Sequence, residues 1–309
     1  MVSLTPDPAF PLGQWFAEAP LRGFRQGYRV LQELYRGRSA YQAVQVLETE
    51  LLGRMLILDG AVQTSAEDEH IYHEMLVHPA LVAVEQPRRV LIIGGGDGGT
   101  LRRVLEHRSV ERVVQVELDR LVVDVCQTYL PQIAAGALDD PRVELVIGDG
   151  ARYLAETRET FDAILVDSTD PVGPAAVLFR EPFYQAAGRA LAEHGIVVTQ
   201  SGSPLLMGAE LGKAVAALRR VFPLVRPYLA TIPSYPGVIW SFLAATRGLD
   251  PAALPAEVVR QRLEGIATRY YTPALHAAAF VLPADLARSL ERGPEEHVGL
   301  LPPAASLSR

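Results

Sequence analysis

Cysteine is nearly absent: Cys126 is the only one in 309 residues, so no disulfide framework holds this chain together. It lies in the helical pattern LVVDVCQTYL with no second cysteine nearby, which predicts a small buried hydrophobe rather than a reactive thiol. Long apolar runs are absent too. None reaches the roughly 18 residues that cross a bilayer, so no membrane partner is expected. The N-terminal MVSLTPDPAFPLG has neither the basic start nor the continuous apolar core of a signal peptide, and with the lone cysteine it points to a soluble, cytoplasmic protein. Basic excess is missing as well. A formal net charge of −7 argues against nucleic acid, which calls for a basic patch, whereas an acidic surface tolerates cationic small molecules.

What is present is an ordinary globular composition, 49% hydrophobic and 21% charged. The length suits one large α/β unit and a smaller one. From Tyr28 to Thr64 short alternating runs, YQAVQVLETE and RMLILDGAVQT, broken by Gly37, Gly53 and Gly60, predict a small antiparallel sheet. SAEDEHIYHEMLVHPAL follows with Ile71, Met75 and Leu76 at helical spacing behind a Ser65/Asp68 start signal. Residues 1–80 are read as this small β unit and its linking helix.

From Arg89 the pattern becomes continuous Val/Ile/Leu strands separated by helices: VLIIG, RVVQVEL, VELVIGD, FDAILVDS and GIVVTQS. Such runs predict a parallel sheet covered on both faces. PLVRPYLATI and VIWSFLAATR predict a closing antiparallel pair. The expected fold is α/β, a Rossmann-like, doubly wound, mostly parallel sheet of the class I methyltransferase kind over residues 81–292, with 293–309 a mobile Pro-rich tail.

Chemistry concentrates at the carboxyl ends of these strands. GGGDGG, Gly94 to Gly99, fits GxGxxG directly after a strand. This brings backbone close to a ligand at a helix N-terminus and is shared by dehydrogenases and methyltransferases. Glu117, about 20 residues on, is the carboxylate expected to grip ribose hydroxyls; the plain alternative is a solvated turn. Asp97 is the anomaly, because this loop ordinarily receives a pyrophosphate or the carboxylate of S-adenosylmethionine, and an aspartate repels both. Either Asp97 merely complements the helix dipole, or the ligand is decarboxylated S-adenosylmethionine, whose cationic aminopropyl arm it would pair. Asp149-Gly150 and the Asp167–Asp170 run add carboxylates to the same edge, with Asp149 suited to the adenine amino group. So many acids at one edge repel unless cations bind there. With no histidine cluster at that edge, no metal is expected.

The segments LDGAVQTSAEDEHIYHEMLVHP, VLIIGGGDGGTLRRVLEH, VVQVELD, VIGDGARYL and ILVDSTDPVGPAAVLFREPFY resemble the polyamine aminopropyltransferase family, spermidine synthases in particular, over roughly residues 25 to 245. The resemblance implies that Asp167 is the proton acceptor and that Gln42, Glu117, Asp149, Gly150 and Pro174 surround the nucleoside. It implies that His73, Asp97 and Asp170 contact the amine portions and that Tyr72 and Tyr235 line the channel. Read without it, His73 is also compatible with a helix surface, Tyr72 with plain core and Tyr235 with a loop aromatic. It implies a homodimer or homotetramer, no cofactor beyond decarboxylated S-adenosylmethionine as co-substrate, and putrescine as acceptor.

Two positions depart from the family pattern. Where members commonly carry Gln followed shortly by Glu-Ser-Pro, this chain has Gln200-Ser201-Gly202-Ser203-Pro204, and the common TYPSG turn reads Ser234-Tyr235-Pro236-Gly237-Val238. Both lie at the acceptor end, so agmatine, cadaverine or spermidine are alternative acceptors. A methyltransferase would share the fold and Glu117 but not favour Asp97. An NAD-dependent oxidoreductase lacks a hydride-transfer constellation, and a non-catalytic relative has no reason to keep Asp97, Asp167 and Asp170 together.

Overall fold

The computed structural model describes residues 14–21, 23–170 and 173–292; the expected tail at 293–309 lies outside them. Strands β1 (Gln14–Leu21), β2 (Phe24–Arg38), β3 (Ala43–Thr49), β4 (Gly53–Leu58) and β5 (Ala61–Ser65) form a five-stranded sheet in chain order, each neighbouring pair antiparallel. The sheet begins one strand earlier than the alternation from Tyr28 predicts. In β1 the inward positions are Phe16 and Glu18, both buried, and an acid facing inward hides the period-2 signal.

Helix α1 (Glu69–Ala83) joins this sheet to the rest, and every residue in it except Ile71 is buried. A helix covered all round belongs to the interior. Its expected start signal does another job: Ser65 Oγ donates to Asp68 Oδ1 at 2.6 Å, and Asp68 Oδ2 accepts from the Ser234 amide at 2.7 Å. Neither side chain caps α1. The pair instead ties the helix entry to the turn that carries Tyr235.

The second sheet holds β6 (Arg89–Gly94), β7 (Arg112–Glu117), β8 (Val143–Ile147), β9 (Phe161–Asp167), β10 (Leu191–Gln200), β11 (Leu224–Thr231) and β12 (Ile239–Thr246), in the order β11-β12-β10-β9-β6-β7-β8. The five strands β8 to β10 of that order are parallel, while β12 runs antiparallel to both β10 and β11. Among the helices α2 (Gly99–Leu105) follows β6, and α3 (Arg120–Tyr129) and α4 (Pro131–Ala134) follow β7. Helix α5 (Gly150–Glu156) follows β8, α6 (Glu181–Ala190) and α7 (Gly208–Arg219) flank β10, and α8 (Ala256–Arg262), α9 (Pro273–Ala279) and α10 (Ala284–Arg292) close the chain. No described helix is long and apolar enough to cross a membrane.

From β6 the chain moves outward one way through β7 and β8, then returns to place β9 and β10 on the other side. The carboxyl ends of β6 and β9 therefore flank a topological switch point, where open α/β sheets form a ligand crevice. One apolar cluster unites the two sheets through α1, running from Phe16, Leu47 and Ile57 through Met75 and Leu76 to Val90, Leu165 and Val198. The small sheet consequently forms a wall of the crevice.

Candidate active site

At the switch point Gly94 pairs in register with Asp167. Gly94 adopts φ +87°, and a Cβ there would lie 2.1 Å from the Asp167 carbonyl oxygen, so only glycine permits this approach. The Gly95 amide donates to that same carbonyl at 2.9 Å. From below, Gln115 Nε2 donates to the Gly94 and Gly95 carbonyls at 3.0 and 2.6 Å. The glycine loop and the Asp167 backbone are thus fixed to each other.

A cavity of about 200 Å³ opens above this junction. Gln42, Tyr72, Asp97, Glu117, Asp149, Gly150, Asp167 and Tyr235 all line it, with Leu56, Leu58, Ile93 and Val122 as apolar wall. The structure brings eight of the eleven sequence-assigned residues to one space. Pro174 has its side chain outside the described residues, although Ala175, Val177 and Leu178 next to it line the cavity. His73 and Asp170 are not among its walls.

His73 sits behind Asp97. Its Nε2 lies 3.4 Å from Asp97 Oδ2 and its Nδ1 2.7 Å from Glu69 Oε2, and a Cβ on Gly99 would meet the ring at 2.1 Å. Burial opposes charging this imidazole, but Asp97 and Glu69 outweigh burial and raise its pKa to about 10. Burial would likewise raise Asp97, yet the His73 charge and hydrogen bond, with the Gly99 amide donating to Oδ1 at 2.9 Å, hold it below the usual carboxylate range.

Asp167 moves the other way. Burial and the negative charge of Asp97 raise its pKa, while His73 and the hydroxyls of Thr100 and Tyr72 pull it down. Tyr72 donates to Oδ1 at 2.7 Å and Thr100 to Oδ2 at 2.7 Å. Glu117, at the end of β7, is pushed by burial to about 7, although the Asp119 amide donates to it. Gln42 reaches from the small sheet to Asp119, donating to Oδ2 at 3.0 Å. Asp149 caps α5 through Oδ1, accepting from the Ala151 and Arg152 amides, so Oδ1 is committed to the helix.

The end of the site beside Asp170 holds what sequence reasoning missed. Asp170 is raised by burial to about 6. Glu18 of β1 is raised to about 7, chiefly by burial against the opposing Val62 amide, with the Asp170 charge adding to it. A second carboxylate, from the small sheet, is therefore near enough to Asp170 for the two charges to interact. Its only sequence signal is an acid at an inward, alternating position beside Phe16.

Gln200 straps this end. Its Nε2 donates to the Ser168 and Thr169 carbonyls at 2.9 and 3.2 Å, and its Oε1 accepts from the Gly202 amide at 2.9 Å. Gly202 is left-handed at φ +76°, and a Cβ there would meet Met207 Sδ at 2.8 Å. At this position the chain lacks the glutamate side chain and holds a backbone that favours glycine. In the altered turn Val238, a β-branched residue, sits at φ +65°, a conformation such residues rarely take.

Ligating atoms of His73, Asp97 and Asp167 lie within 4.8 Å of one another, the one such group among the described residues. Cys126 is buried and its thiol pushed well above its ordinary range by burial, which leaves it unreactive.

Residues 69–251 match the family profile described as the spermine/spermidine synthase domain, and residues 14–66 match the spermidine synthase tetramerisation domain. The chain belongs to the spermine/spermidine synthase family. A polyamine aminopropyltransferase of Thermoanaerobacter sp. (strain X514) is 46% identical over 269 residues, covering 87% of this chain and 95% of that protein. Polyamine aminopropyltransferase 1 of Pseudomonas aeruginosa is 46% identical over 270 residues, covering 87% and 94%. Among solved structures, a spermidine synthase in complex with the transition-state analogue AdoDATO superposes with TM-score 0.87 at 37% identity, covering 94% of this chain and 98% of that one. The Thermotoga maritima spermidine synthase gives 0.83 at 36% identity, covering 94% and 96%. Membership makes this family protein an enzyme and agrees with the resemblance seen in its sequence.

Proposed function

We propose that the enzyme transfers the aminopropyl group of decarboxylated S-adenosylmethionine to a primary amine, with putrescine as acceptor and spermidine and 5′-methylthioadenosine as products. One observation carries this reading: Asp97 and Asp167 face a single cavity, and the cation beside them, His73, is already shared between Asp97 and Glu69. The remaining negative charge calls for a cationic ligand. A methyl donor that keeps its carboxylate would meet Asp97 unfavourably, which disfavours a methyltransferase.

Glu117 and Asp149 then hold the nucleoside, Gln42 shapes its edge from the small sheet, and Asp97 takes the aminopropyl ammonium. The acceptor lies along the wall that Tyr72 and Tyr235 form together, with its far ammonium toward Asp170 and Glu18. Its near nitrogen attacks the propyl carbon beside the sulfonium: a C–N bond forms, the C–S bond breaks, and the electron pair stays on sulfur as a neutral thioether. The amine must first be neutral, whereas alkylammonium groups titrate near roughly 10.4. Asp167 accepts that proton, general-base help typically worth about 10² to 10⁴-fold, and holding both reactants in one crevice supplies much of the rest. The chain's own residues need no metal for these steps.

We read the small sheet also as an assembly surface for a homodimer or homotetramer, consistent with the tetramerisation-domain match. The decisive experiment measures 5′-methylthioadenosine release from decarboxylated S-adenosylmethionine with putrescine, agmatine, cadaverine and spermidine. Release with putrescine foremost supports the reading. Release led by another amine reassigns the acceptor, and S-adenosylhomocysteine formed from S-adenosylmethionine would replace it with methyl transfer.

A further inference from the structure

Thr100 has no role in the scheme above, yet its side chain touches the proposed base. It is the second residue of α2, is fully buried, and sends its Oγ1 to Asp167 Oδ2 at 2.7 Å. On the other oxygen Tyr72 donates at 2.7 Å, and the Asp167 carbonyl is held by the Gly95 amide. We infer that Thr100 is a positioning residue for the base: its hydroxyl, opposed to that of Tyr72, fixes the plane of the Asp167 carboxylate and leaves one lone pair on each oxygen open. This rests on Asp167 being the proton acceptor.

An ionised carboxylate has about four acceptor sites on its two oxygens. One donor on each keeps the group from rotating while sparing a site for the incoming proton. Valine has nearly the shape of threonine without the donor, so filling the space does not by itself call for a hydroxyl here. The groups facing Asp167 are Asp97 from the glycine loop, His73 and Tyr72 from α1, Glu117 from β7 and Tyr235 from the turn after β11. Asp97 and burial favour the protonated form of Asp167. His73, Thr100 and Tyr72 favour the ionised form.

The test compares T100V and T100S with the parent enzyme and with D167N. In T100V the acid limb of the kcat–pH profile should move up by about one pH unit or more, the equivalent of one lost hydrogen bond to a charged group. The KM for the nucleoside donor should stay within about twofold, and T100S, which restores a hydroxyl, should return the limb to its parent position. Carbon-13 NMR of aspartate-labelled enzyme, with Asp167 assigned from D167N, should show the same upward shift directly. Should T100V not fold, T100A removes the same donor and gives the same readout. With D167N inactive, an unmoved limb in folded T100V or T100A, or no restoration by T100S, overturns the role of Thr100 alone. Turnover retained in D167N instead removes the base assignment and Thr100's role with it.

Discussion

His73 Nε2 faces Asp97 Oδ2 at 3.4 Å beneath the glycine loop, so the histidine acts on the ligand site through the aspartate. Glu69, 2.7 Å from Nδ1, offsets the ring's charge, and Arg103 approaches Glu69 from the far side at 3.6 Å. The row Asp97, His73, Glu69, Arg103 alternates in sign and ends at the cavity on a negative group. Such a row lets Asp97 remain ionised in a recessed position without surrendering its attraction for a cation.

The first prediction concerns this row. His73 has a folded pKa of about 10, above its unfolded value of roughly 6.5. Its stabilisation is therefore complete below about pH 6.5 and is lost as pH rises through about 10. The melting temperature of the parent should fall across that window, and that of His73→Gln should be lower at pH 7 and flatter. Removing one partner of a buried pair costs about 3–5 kcal/mol. Parallel melting curves for the two proteins from pH 6 to 10 would contradict the pairing.

Asp167→Asn should lose about 10² to 10⁴ in kcat while melting within a few degrees of the parent, because both neighbouring hydroxyls can still hydrogen-bond to an amide. Steady-state release of 5′-methylthioadenosine and a thermal melt check this together. Near-normal turnover ends the base assignment.

Calorimetric titration should give much tighter binding for decarboxylated S-adenosylmethionine than for S-adenosylmethionine, since in the proposed pose the extra carboxylate of the latter would face Asp97. Asp97→Asn should narrow the gap chiefly by weakening the decarboxylated ligand. Equal affinities for the parent would show that Asp97 does not read the aminopropyl end.

Glu18 and Asp170, at about 7 and about 6, are raised acids, so their contribution to folded stability is present below roughly pH 4 and is lost as pH rises through those values. A bound ammonium favours the ionised forms. Acceptor binding near pH 6 should therefore release protons, visible as a dependence of the binding heat on buffer ionisation enthalpy, and should weaken as pH falls below 6. Glu18→Gln should raise the acceptor KM and reduce the release. Buffer-independent heats at pH 6 would place the acceptor elsewhere.

Leu31 on β2 and Leu51 in the β3–β4 turn are 58% and 82% exposed. Light scattering should return a dimer or tetramer, with Leu51→Glu shifting it toward smaller species if the turn is covered in the assembly. A parent protein that is monomeric at micromolar concentration ends the assembly reading of the small sheet.

Local chemistry along the chain determined much of this protein. Short Val/Ile/Leu runs bounded by turn residues favour strands of a covered sheet, so the parallel sheet was legible, as were the glycine turn after β6 and the acids at strand ends, because their signals lie within a few consecutive residues; that β8 is a partly exposed edge strand was not. Tertiary structure decided what depends on side chains far apart in sequence. Glu18 comes within electrostatic range of Asp170 across 152 positions because α1 packs the small sheet against the larger one. Thr100 reaches Asp167 because β6 and β9 are neighbours in space. Ser65 and Asp68 read as a helix start but brace a distant turn, since a buried polar group binds whatever partner the fold supplies. His73, compatible in sequence with a helix surface or a ligand contact, became a buried cation behind Asp97, because the pKa of a titratable group is set by the burial and charges that packing gathers around it.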